Sequence, residues 1–329
     1  MLRFIVRRLL WAIPTLFIVT FVVYCALRLA TNPLASYARA NPRVAKDPEK
    51  MAQYVETNGL WPGFSGYVRG YFVWLKGFVT GNWQVSIKGS RPVWPNLKIA
   101  LVNTIRLGLL AVMVSIPIGL SLGIFAALKP GRLRDTAVNT GAIIGFSVQP
   151  FISAIILQLF FGVQWAKWFG EPLLPTSGLY PPGHQGFDPV LMLKYMILPV
   201  IVVSIQSIAS YSRYMRASLL DVLNSDYLRT ARSKGISERR VLVKHALRNA
   251  MIPIVTLAAL DIGAIVGGLI ISEAVFDYPG MGVFFLNAQS NGDFPELMPW
   301  MVIITSSVIL FNLLADLAYA WLDPRIRLD

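Results

Sequence analysis

The chain has few charged residues for its length. Of its 329 residues, 14% are Asp, Glu, Lys or Arg and 55% are hydrophobic, and the mean hydropathy is +0.57. A soluble domain covers much of its surface with charged and polar groups, and this composition does not supply enough of them. The scarcity of charge therefore excludes an ordinary soluble domain and predicts a protein of the lipid bilayer.

Cysteine and histidine are almost absent. The one cysteine, Cys25, leaves no internal disulfide, CxxC redox pair or cysteine metal site. The two histidines, His184 and His245, are too few for a histidine metal site or an intramembrane catalytic dyad. The GxxxxGKS/T motif is also missing, which excludes an ATPase of the P-loop class. If ATP drives this protein, another chain must bind it.

Long apolar runs recur along the chain. A helix needs about 20 residues to cross a hydrocarbon core of ~30 Å, and six runs reach that length. They are residues 9–30, 101–128, 136–165, 191–211, 251–276 and 298–321. We therefore predict an all-α, polytopic membrane protein with six transmembrane helices. The first run is longer than the apolar part of a secretory signal peptide, which favours an uncleaved span.

Lysine and arginine are unevenly distributed among the short loops. They cluster in the N-terminal tail, in residues 129–134, in residues 212–250 and in the C-terminal tail, whereas residues 277–297 contain none. Because positive charge marks the cytoplasmic side, we predict that both termini are cytoplasmic. The net charge of +13 then reflects topology and contact with membrane lipid. It does not require nucleic-acid binding.

Four polar residues inside the predicted spans are candidates for a translocation pathway. Asp261 lies about a third of the way into the fifth run, where its short side chain cannot reach the membrane surface. A carboxylate at this depth is typical of a pathway, a proton relay or a buried hydrogen-bonded pair. Gln149, Gln158 and Gln206 are weaker candidates, because glutamine also hydrogen-bonds between membrane helices. Both interpretations remain open for all four residues.

Other features of the spans predict helix packing. Pro117 and Pro150 are positions where a helix can bend or break, and Arg28 and Arg106 are predicted to extend toward the lipid headgroups. Close helix approach is predicted at three GxxxG pairs, namely Gly119 with Gly123, Gly141 with Gly145, and Gly263 with Gly267.

The outer segment between the first two runs, residues 31–100, is rich in aromatic residues. Such residues suit a membrane interface or a small outer subdomain with its own apolar contacts. An aromatic substrate cage is the alternative. The residues are Trp61, Tyr67, Tyr71, Phe72, Trp74, Phe78 and Trp83.

The longest polar segment on the predicted cytoplasmic side is residues 212–253. Residues 214–234 are compatible with a helical extension of the fourth run that ends at Gly235, which takes a left-handed conformation without steric cost. Ser237 suits the N-cap of a second short helix. That helix carries Val241, Leu242, Ala246 and Ala250 on one side, and a basic face of Arg239, Arg240, Lys244 and Arg248. The segment is predicted to form a helix-turn-helix unit that contacts anionic lipid or a soluble partner.

Several stretches form a longer pattern. They are residues 216–235, Ile236-Ser-Glu-Arg-Arg-Val241, His245-Ala-Leu-Arg-Asn-Ala-Met-Ile-Pro253, Glu273-Ala-Val-Phe-Asp-Tyr-Pro-Gly-Met-Gly282, Asp293-Phe-Pro295, Asn312-Leu-Leu-Ala-Asp316, Leu322-Asp-Pro-Arg-Ile-Arg327, Trp74-Leu-Lys76 and Gly81-Asn-Trp-Gln-Val-Ser86. Together they span nearly the whole chain. In this pattern the chain resembles the inner-membrane permease subunits of bacterial ABC importers, of the dipeptide and oligopeptide permease B type.

This resemblance implies a fold, a function and a set of partners. The fold is that of a type I ABC importer permease: residues 1–30 form the cytoplasmic tail and first helix, residues 31–100 an extracellular segment, and residues 101–329 a five-helix core. The chain would form half of a pathway for peptides in the bacterial inner membrane and bind no cofactor itself. Partner ATPase subunits would bind ATP and Mg. A second, homologous permease chain and an extracellular solute-binding protein would complete the importer.

In that family the cytoplasmic loop, here residues 212–253, forms a coupling helix that inserts into a groove of the ATPase subunit. Small Ala231 would allow close approach, and Gly235 would set the turn. Where many importers have Glu-Ala-Ala, this chain has Arg229-Thr230-Ala231, so no salt bridge through that Glu is carried over. The coupling residues implied are Asp226, Tyr227, Thr230, Ala231, Lys234, Gly235, Ile236 and Ser237.

Two alternatives remain open from the sequence. An ion-coupled secondary transporter would use Asp261 as its coupling acid. Permeases of the same ABC fold also import nickel chelates, glutathione or oligosaccharides, so the resemblance favours peptides without fixing the substrate.

Overall fold

The structure is a computed structural model that describes residues 2–88 and 91–322. The described part is mostly helical, which confirms the all-α prediction; the tail motif beyond Leu322, with Arg325 and Arg327, lies outside it. Short π-helical turns join α8 to α9 and α12 to α13. The α-helices are α1 (Leu2–Thr31), α2 (Pro33–Ala40), α3 (Pro42–Ala45), α4 (Pro48–Asn58), α5 (Gly63–Val79), α6 (Val93–Ala127), α7 (Leu133–Ser147), α8 (Pro150–Gln158), α9 (Trp165–Phe169), α10 (Pro189–Leu223), α11 (Asp226–Ser233), α12 (Glu238–Arg240), α13 (Leu247–Ala250), α14 (Ile252–Ile265), α15 (Ile270–Val275), α16 (Met281–Asn291) and α17 (Phe294–Leu322).

Within the described residues, five helices are long and apolar enough to cross a membrane. A sixth is counted when a bent pair, Glu238–Ala250 with Ile252–Ile265 at 45°, is taken as one span. Counting this pair gives the predicted number of six. The pair begins at Glu238, however, whereas the predicted fifth span begins at residue 251, and the predicted span 136–165 is represented by Pro150–Phe169. The five helices are Leu10–Thr31, Val93–Ala127, Pro150–Phe169, Pro189–Leu223 and Phe294–Leu314.

The predicted span 136–165 is broken immediately before Pro150. Helix α7 ends at Ser147, α8 begins at Pro150, and Gln149 between them is extended, with φ −65° and ψ 141°. The ring of a proline clashes with a helical conformation of the preceding residue, which explains the break. Pro117, by contrast, lies inside the unbroken α6.

The predicted span 251–276 is also interrupted. Helix α14 ends at Ile265 and α15 begins at Ile270, and Gly268 between them has φ +95°. A Cβ atom at Gly268 would lie 2.6 Å from the backbone nitrogen of Gly282. Glycine therefore permits both the backbone turn and the close approach.

The described chain divides into two compact units. One comprises the residues up to Thr104 together with Val266–Ile270 and Pro279–Ile309. The other comprises Ile105–Ile265, Ile271–Tyr278 and the residues from Leu310 onward. The sequence predicts a division by function into residues 1–30, 31–100 and 101–329, and that division remains a prediction.

In the first unit, aromatic residues of the outer segment make packing contacts. Tyr71 and Trp74 are buried in a cluster with Tyr24, Phe294 and Met298. The partners of both rings belong to α1 and α17, so neither ring is free to line an open cage. That the outer segment forms a subdomain of its own remains a prediction.

Arg28 does not extend toward the headgroups, so that prediction is wrong. Its side chain is buried, and its guanidinium donates hydrogen bonds to the carbonyl oxygens of Gly59 at 3.3 Å and Trp61 at 3.0 Å. It also stacks on the ring of Tyr67, 4.3 Å from the ring centroid. The backbone carbonyls between α4 and α5 supply the hydrogen-bond acceptors that water or headgroups would otherwise provide.

The second unit confirms close helix packing at Gly119 and Gly123. A Cβ atom at Gly119 would lie 2.7 Å from Cβ of Tyr211, and one at Gly123 would lie 2.6 Å from the carbonyl oxygen of Ser212. Helices α6 and α10 can approach this closely because glycine has no side chain. At Gly141, in contrast, no atom lies within 4 Å of the added Cβ.

Candidate functional site

The polar segment forms an extension of α10 followed by a helical hairpin. Helix α10 runs unbroken to Leu223, and the hairpin consists of α11 and the helix Glu238–Ala250; residues 226–250 are named the polar hairpin. The predicted extension is confirmed to Leu223 but does not continue to Lys234. Ser225 is extended, with ψ 146°, and its hydroxyl bonds the carbonyl of Val222. Such side-chain bonds compete with the helix.

The turn of the hairpin is closed by backbone hydrogen bonds around Gly235. The N–H of Gly235 donates to the carbonyl of Arg232 at 2.9 Å, and the N–H of Ile236 donates to the carbonyl of Ala231 at 3.4 Å. These two bonds form a Schellman motif, which places a residue in the left-handed region. Gly235 occupies that position with φ +73°, as the sequence predicted.

The inner side of the hairpin packs against α10. Leu228, Val241 and Ala246 are fully buried in one cluster with Met215 and Leu219 of α10. The hydroxyl of Ser218 also donates to the carbonyl of Ala250 at 2.9 Å. This burial confirms the predicted apolar side of the second helix and attaches the hairpin firmly to α10.

The eight predicted coupling residues divide between two sides of the hairpin. Ala231 and Ile236 are partly buried against the cluster beneath the hairpin, so the small size of Ala231 serves packing within this chain. The other six are exposed: Asp226, Tyr227, Thr230, Lys234, Gly235 and Ser237.

Polar contacts join the two helices of the hairpin. The Nδ2 atom of Asn249 donates to the hydroxyl of Tyr227 at 2.8 Å, and Nε of Arg232 donates to Oε1 of Glu238 at 2.9 Å. The predicted basic face is exposed, as it must be to meet lipid or a partner; it comprises Arg239, Arg240, Lys244 and Arg248. The hairpin is therefore a stiff polar projection with a basic flank.

Asp261 forms a hydrogen-bonded pair with another span. Its Oδ2 atom accepts a hydrogen bond from the hydroxyl of Tyr211 at 2.7 Å. Tyr211 is fully buried, whereas Asp261 is half-buried. The bond joins α14 to α10 and supplies the partner that an acid at this depth requires.

The three glutamines occupy different environments. Nε2 of Gln158 donates to the carbonyls of Thr176 at 2.7 Å and Val275 at 3.0 Å, which fastens the loop after α9 to α15. Nε2 of Gln206 donates to the carbonyl of Val148 at 3.4 Å. Gln149 is exposed at the break before α8. Gln158, Gln206 and Asp261 thus take part in three separate contacts.

An ion pair between Asp135 and Arg216 was not predicted from the sequence. Nη2 of Arg216 lies 2.8 Å from Oδ2 of Asp135, and the N–H of Gly131 donates to the same oxygen at 2.9 Å. The Arg216 hydrogen bond, followed by that of Gly131, lowers the pKa of the Asp135 carboxyl to about 2. The sequence did contain one indication of this ion pair. Asp135 is the single acidic residue of a basic loop and lies in the first turn of α7.

Comparison with known proteins places this fold in a family. Residues 119–328 match the family described as "Binding-protein-dependent transport system inner membrane component". The chain belongs to this family. The matched residues include the polar hairpin of the permease and all four polar candidates, while α1 to α5 precede them.

Named relatives match over almost the whole permease. A Brucella ovis protein named as a peptide permease is 36% identical over 99% of both chains. The oligopeptide transport system permease AppB of Bacillus subtilis is 33% identical over 99% of this chain and 100% of its own. The dipeptide transport system permease DppB of Escherichia coli K12 is 32% identical over 99% of both.

A solved structure shows the same fold. The inward-facing MetNI methionine ABC transporter contains a chain that aligns with 71% of this permease and 99% of its own length, at a TM-score of 0.54 and 17% identity. The permease therefore has the ABC importer permease fold, and the comparisons favour an ABC permease over an ion-coupled secondary transporter built around Asp261.

Proposed function

We propose that this permease subunit conducts short peptides across the bacterial inner membrane in an ATP-driven importer. The substrate proposal is supported by the relatives named as oligopeptide and dipeptide permeases, each matched over nearly the full chain. Nickel chelates, glutathione and oligosaccharides are the competing substrates. In this proposal both termini are cytoplasmic, and the polar hairpin lies on the same side.

The observation that carries the coupling proposal is the polar hairpin itself. It combines a rigid, buried attachment to α10 with an exposed tip that includes Thr230, Lys234 and Gly235. A tip of this kind suits insertion into a groove of an ATPase subunit, because it can move as a body without unfolding. Six exposed residues would contact that subunit: Asp226, Tyr227, Thr230, Lys234, Gly235 and Ser237. Ala231 and Ile236 would hold the tip in shape from within.

The remaining components are assigned to other chains. ATPase subunits bind ATP and Mg and hydrolyse the ATP, a homologous permease chain supplies the other half of the pathway, and an extracellular solute-binding protein delivers the peptide. This chain binds no cofactor and no nucleic acid in this proposal, and its apolar helices contact membrane lipid. Residues 1–30, 31–100 and 101–329 act as the first helix with its tail, an extracellular segment and the conducting core.

Transport follows from alternating access. Closure of the ATPase subunits moves the polar hairpin, α10 follows because Leu228 and Val241 are packed against it, and the spans reorient around the pathway. Gln149 is the strongest pathway candidate, since it is exposed at a helix break. Gln158, Gln206 and Asp261 are the other pathway candidates. Their hydrogen bonds to other segments support a structural role for each of them as well.

Transport by the assembled complex tests this proposal. The permease would be copurified with its partner chains, reconstituted into proteoliposomes with the binding protein, and supplied with labelled di- and tripeptides. ATP-dependent peptide uptake is expected, together with a peptide retained in the purified binding protein. Uptake of a nickel chelate, glutathione or an oligosaccharide in place of peptides would contradict the substrate assignment, while leaving the permease assignment intact.

A further inference from the structure

Asp135 and Arg216 join the beginning of α7 to the part of α10 nearest the polar hairpin. Nε of Arg216 lies 2.5 Å from Oδ1 of Asp135, and Nη2 lies 2.8 Å from Oδ2. Two parallel N–H···O bonds between a guanidinium and a carboxylate fix the relative orientation of the groups as well as their distance. The pair therefore constrains the angle between the two helices.

The carboxylate of Asp135 is fully occupied by protein donors. In addition to Arg216, the N–H of Gly131 donates to Oδ2 at 2.9 Å and Nδ2 of Asn139 donates to Oδ1 at 2.8 Å. The side chain of Asp135 is 5% exposed and that of Arg216 is 27% exposed. A pair so enclosed is less weakened by water and salt than an exposed surface pair.

The path from Arg216 to the polar hairpin is short and rigid. Both Ser218, which bonds the carbonyl of Ala250 at 2.9 Å, and Leu219, which is buried with Leu228, lie within one turn of Arg216. Helix α10 is unbroken through all of them. A displacement of the hairpin must therefore displace Arg216.

A second contact joins α7 to α10 at the other end of α7. Nε2 of Gln206 on α10 donates to the carbonyl of Val148 at 3.4 Å. Val148 directly precedes the extended Gln149 and the start of α8 at Pro150. Helix α7 is thus attached to α10 at both ends, and its far end is the break inside the predicted third span.

We propose that the Asp135–Arg216 pair makes α7 move together with α10, so that motion of the polar hairpin reaches the helix break at Gln149 and Pro150. This inference rests on the coupling function proposed above. Asp135 and Arg216 are positioning residues that act through α7 and touch no substrate. Without the pair, the beginning of α7 is no longer fixed to α10 and lags behind it, and ATP is hydrolysed without transport.

The experiment measures peptide uptake and ATP hydrolysis in the same proteoliposomes containing the complete complex. Asp135→Asn and Arg216→Gln keep side chains of similar size, and we expect peptide uptake per ATP hydrolysed to fall about fivefold or more in each, with hydrolysis retained. Arg216→Lys keeps the charge but loses the bidentate geometry, and an intermediate ratio is expected. The double variant should be no worse than either single variant, because both changes remove one interaction.

Arg213→Gln is the matched control, since Arg213 is an exposed arginine one turn earlier on α10. It is expected to leave the uptake ratio unchanged. An unchanged ratio in Asp135→Asn and Arg216→Gln would overturn the inference. So would a fall in uptake that follows only the loss of assembled complex in Asp135→Asn, Arg216→Gln and Arg216→Lys. Absence of ATP-driven peptide uptake by the wild-type complex would instead overturn the proposed function.

Discussion

Ser86 donates a hydrogen bond to the carboxylate of Asp293 at 2.5 Å, across 207 residues of sequence. The N–H of Ile87 donates to the same Oδ2 atom at 2.9 Å, and the N–H of Glu296 donates to Oδ1 at 3.3 Å. Asp293 is 1% exposed. The segments ending at Ser86 and beginning at Asp293, which both resemble family segments, are therefore parts of one buried contact.

Ser86→Ala should destabilise the protein by about 1–3 kcal/mol, because it removes one donor from a buried carboxylate. Burial already raises the pKa of Asp293, against the hydrogen bond from Ser86, so the substitution raises that pKa further. When the pKa of an acid is higher in the folded state than in the unfolded state, the protein loses stability as the pH rises from the unfolded pKa through the folded pKa. The destabilisation should therefore be larger at pH 8 than at pH 5 in thermal unfolding of the purified complex.

Lys88→Gln is the control for this prediction. Lys88 lies two residues after Ser86, and its exposed Nζ atom donates to Oδ1 of Asn291 at 3.2 Å. Its backbone N–H, which donates to Asp293 at 3.5 Å, is kept in this variant. Equal midpoint temperatures for Ser86→Ala and Lys88→Gln at both pH values would show that the Asp293 contact contributes nothing measurable.

Gly235→Ala should impair coupling through the backbone. A Cβ atom at this position meets nothing within 4 Å, but φ is +73°, which costs an alanine about 1–2 kcal/mol. Gly235→Asn should be milder, since asparagine tolerates this conformation. ATP-dependent uptake and recovery of the ATPase subunit in copurification should rank glycine first, asparagine second and alanine third.

Gly183→Ala is the control for Gly235→Ala, because it introduces the same backbone strain outside the polar hairpin. Gly183 has φ +82° and open space around its Cβ position, and it lies in the loop between α9 and α10. We expect normal uptake in this variant. If Gly183→Ala and Gly235→Ala reduce uptake equally, a general loss of stability explains both.

Single cysteines on the polar hairpin should report its contact with the ATPase subunit. Because Cys25 is the one native cysteine, Cys25→Ala gives a background without thiols in this chain. Thr230→Cys and Lys234→Cys place thiols on the exposed side, and a bifunctional crosslinker should join them to the ATPase subunit in the assembled complex. Leu228→Cys, at a fully buried position, should give no product. Crosslinking from Leu228→Cys alone would reverse the assignment of the two sides.

Gln158→Leu should loosen the loop after α9. The substitution keeps a similar size but removes the bonds to the carbonyls of Thr176 and Val275, with an expected loss of about 1–3 kcal/mol from two unsatisfied acceptors. Cleavage of this loop by an added protease should become faster, with the KM for peptide unchanged. A changed KM without faster cleavage would indicate direct contact with substrate.

The parts of the fold predicted well are those with strong local signals. Apolar runs reveal spans because a membrane helix needs a fixed length, and Gly235 marks a turn because glycine takes the left-handed conformation. Ser237 precedes the second helix as predicted, but its side chain makes no capping hydrogen bond. Pro150 was a predicted break because proline also has a distinct backbone role. Ser225 was missed because its competing hydrogen bond to Val222 has no distinctive pattern in the sequence.

The contacts predicted poorly are those between residues distant in sequence. Arg28 was expected at the headgroups because the sequence does not show that the chain near Gly59 and Trp61 returns to it. Asp135 and Arg216 are separated by 81 residues, and the position of Asp135 in a basic loop does not show which arginine it contacts. Family resemblance identified Arg216 as part of a pattern but did not identify its partner.

The length of α10 sets the scale of motion available to the protein. Its 35 residues extend over about 52 Å at 1.5 Å per residue, compared with ~30 Å of hydrocarbon. A tilt of about 5° around its midpoint moves its two ends by about 2 Å in opposite directions, as follows from that length. A displacement of this size exceeds the tolerance of a hydrogen bond, so a small rotation at one membrane surface is enough to break contacts at the other.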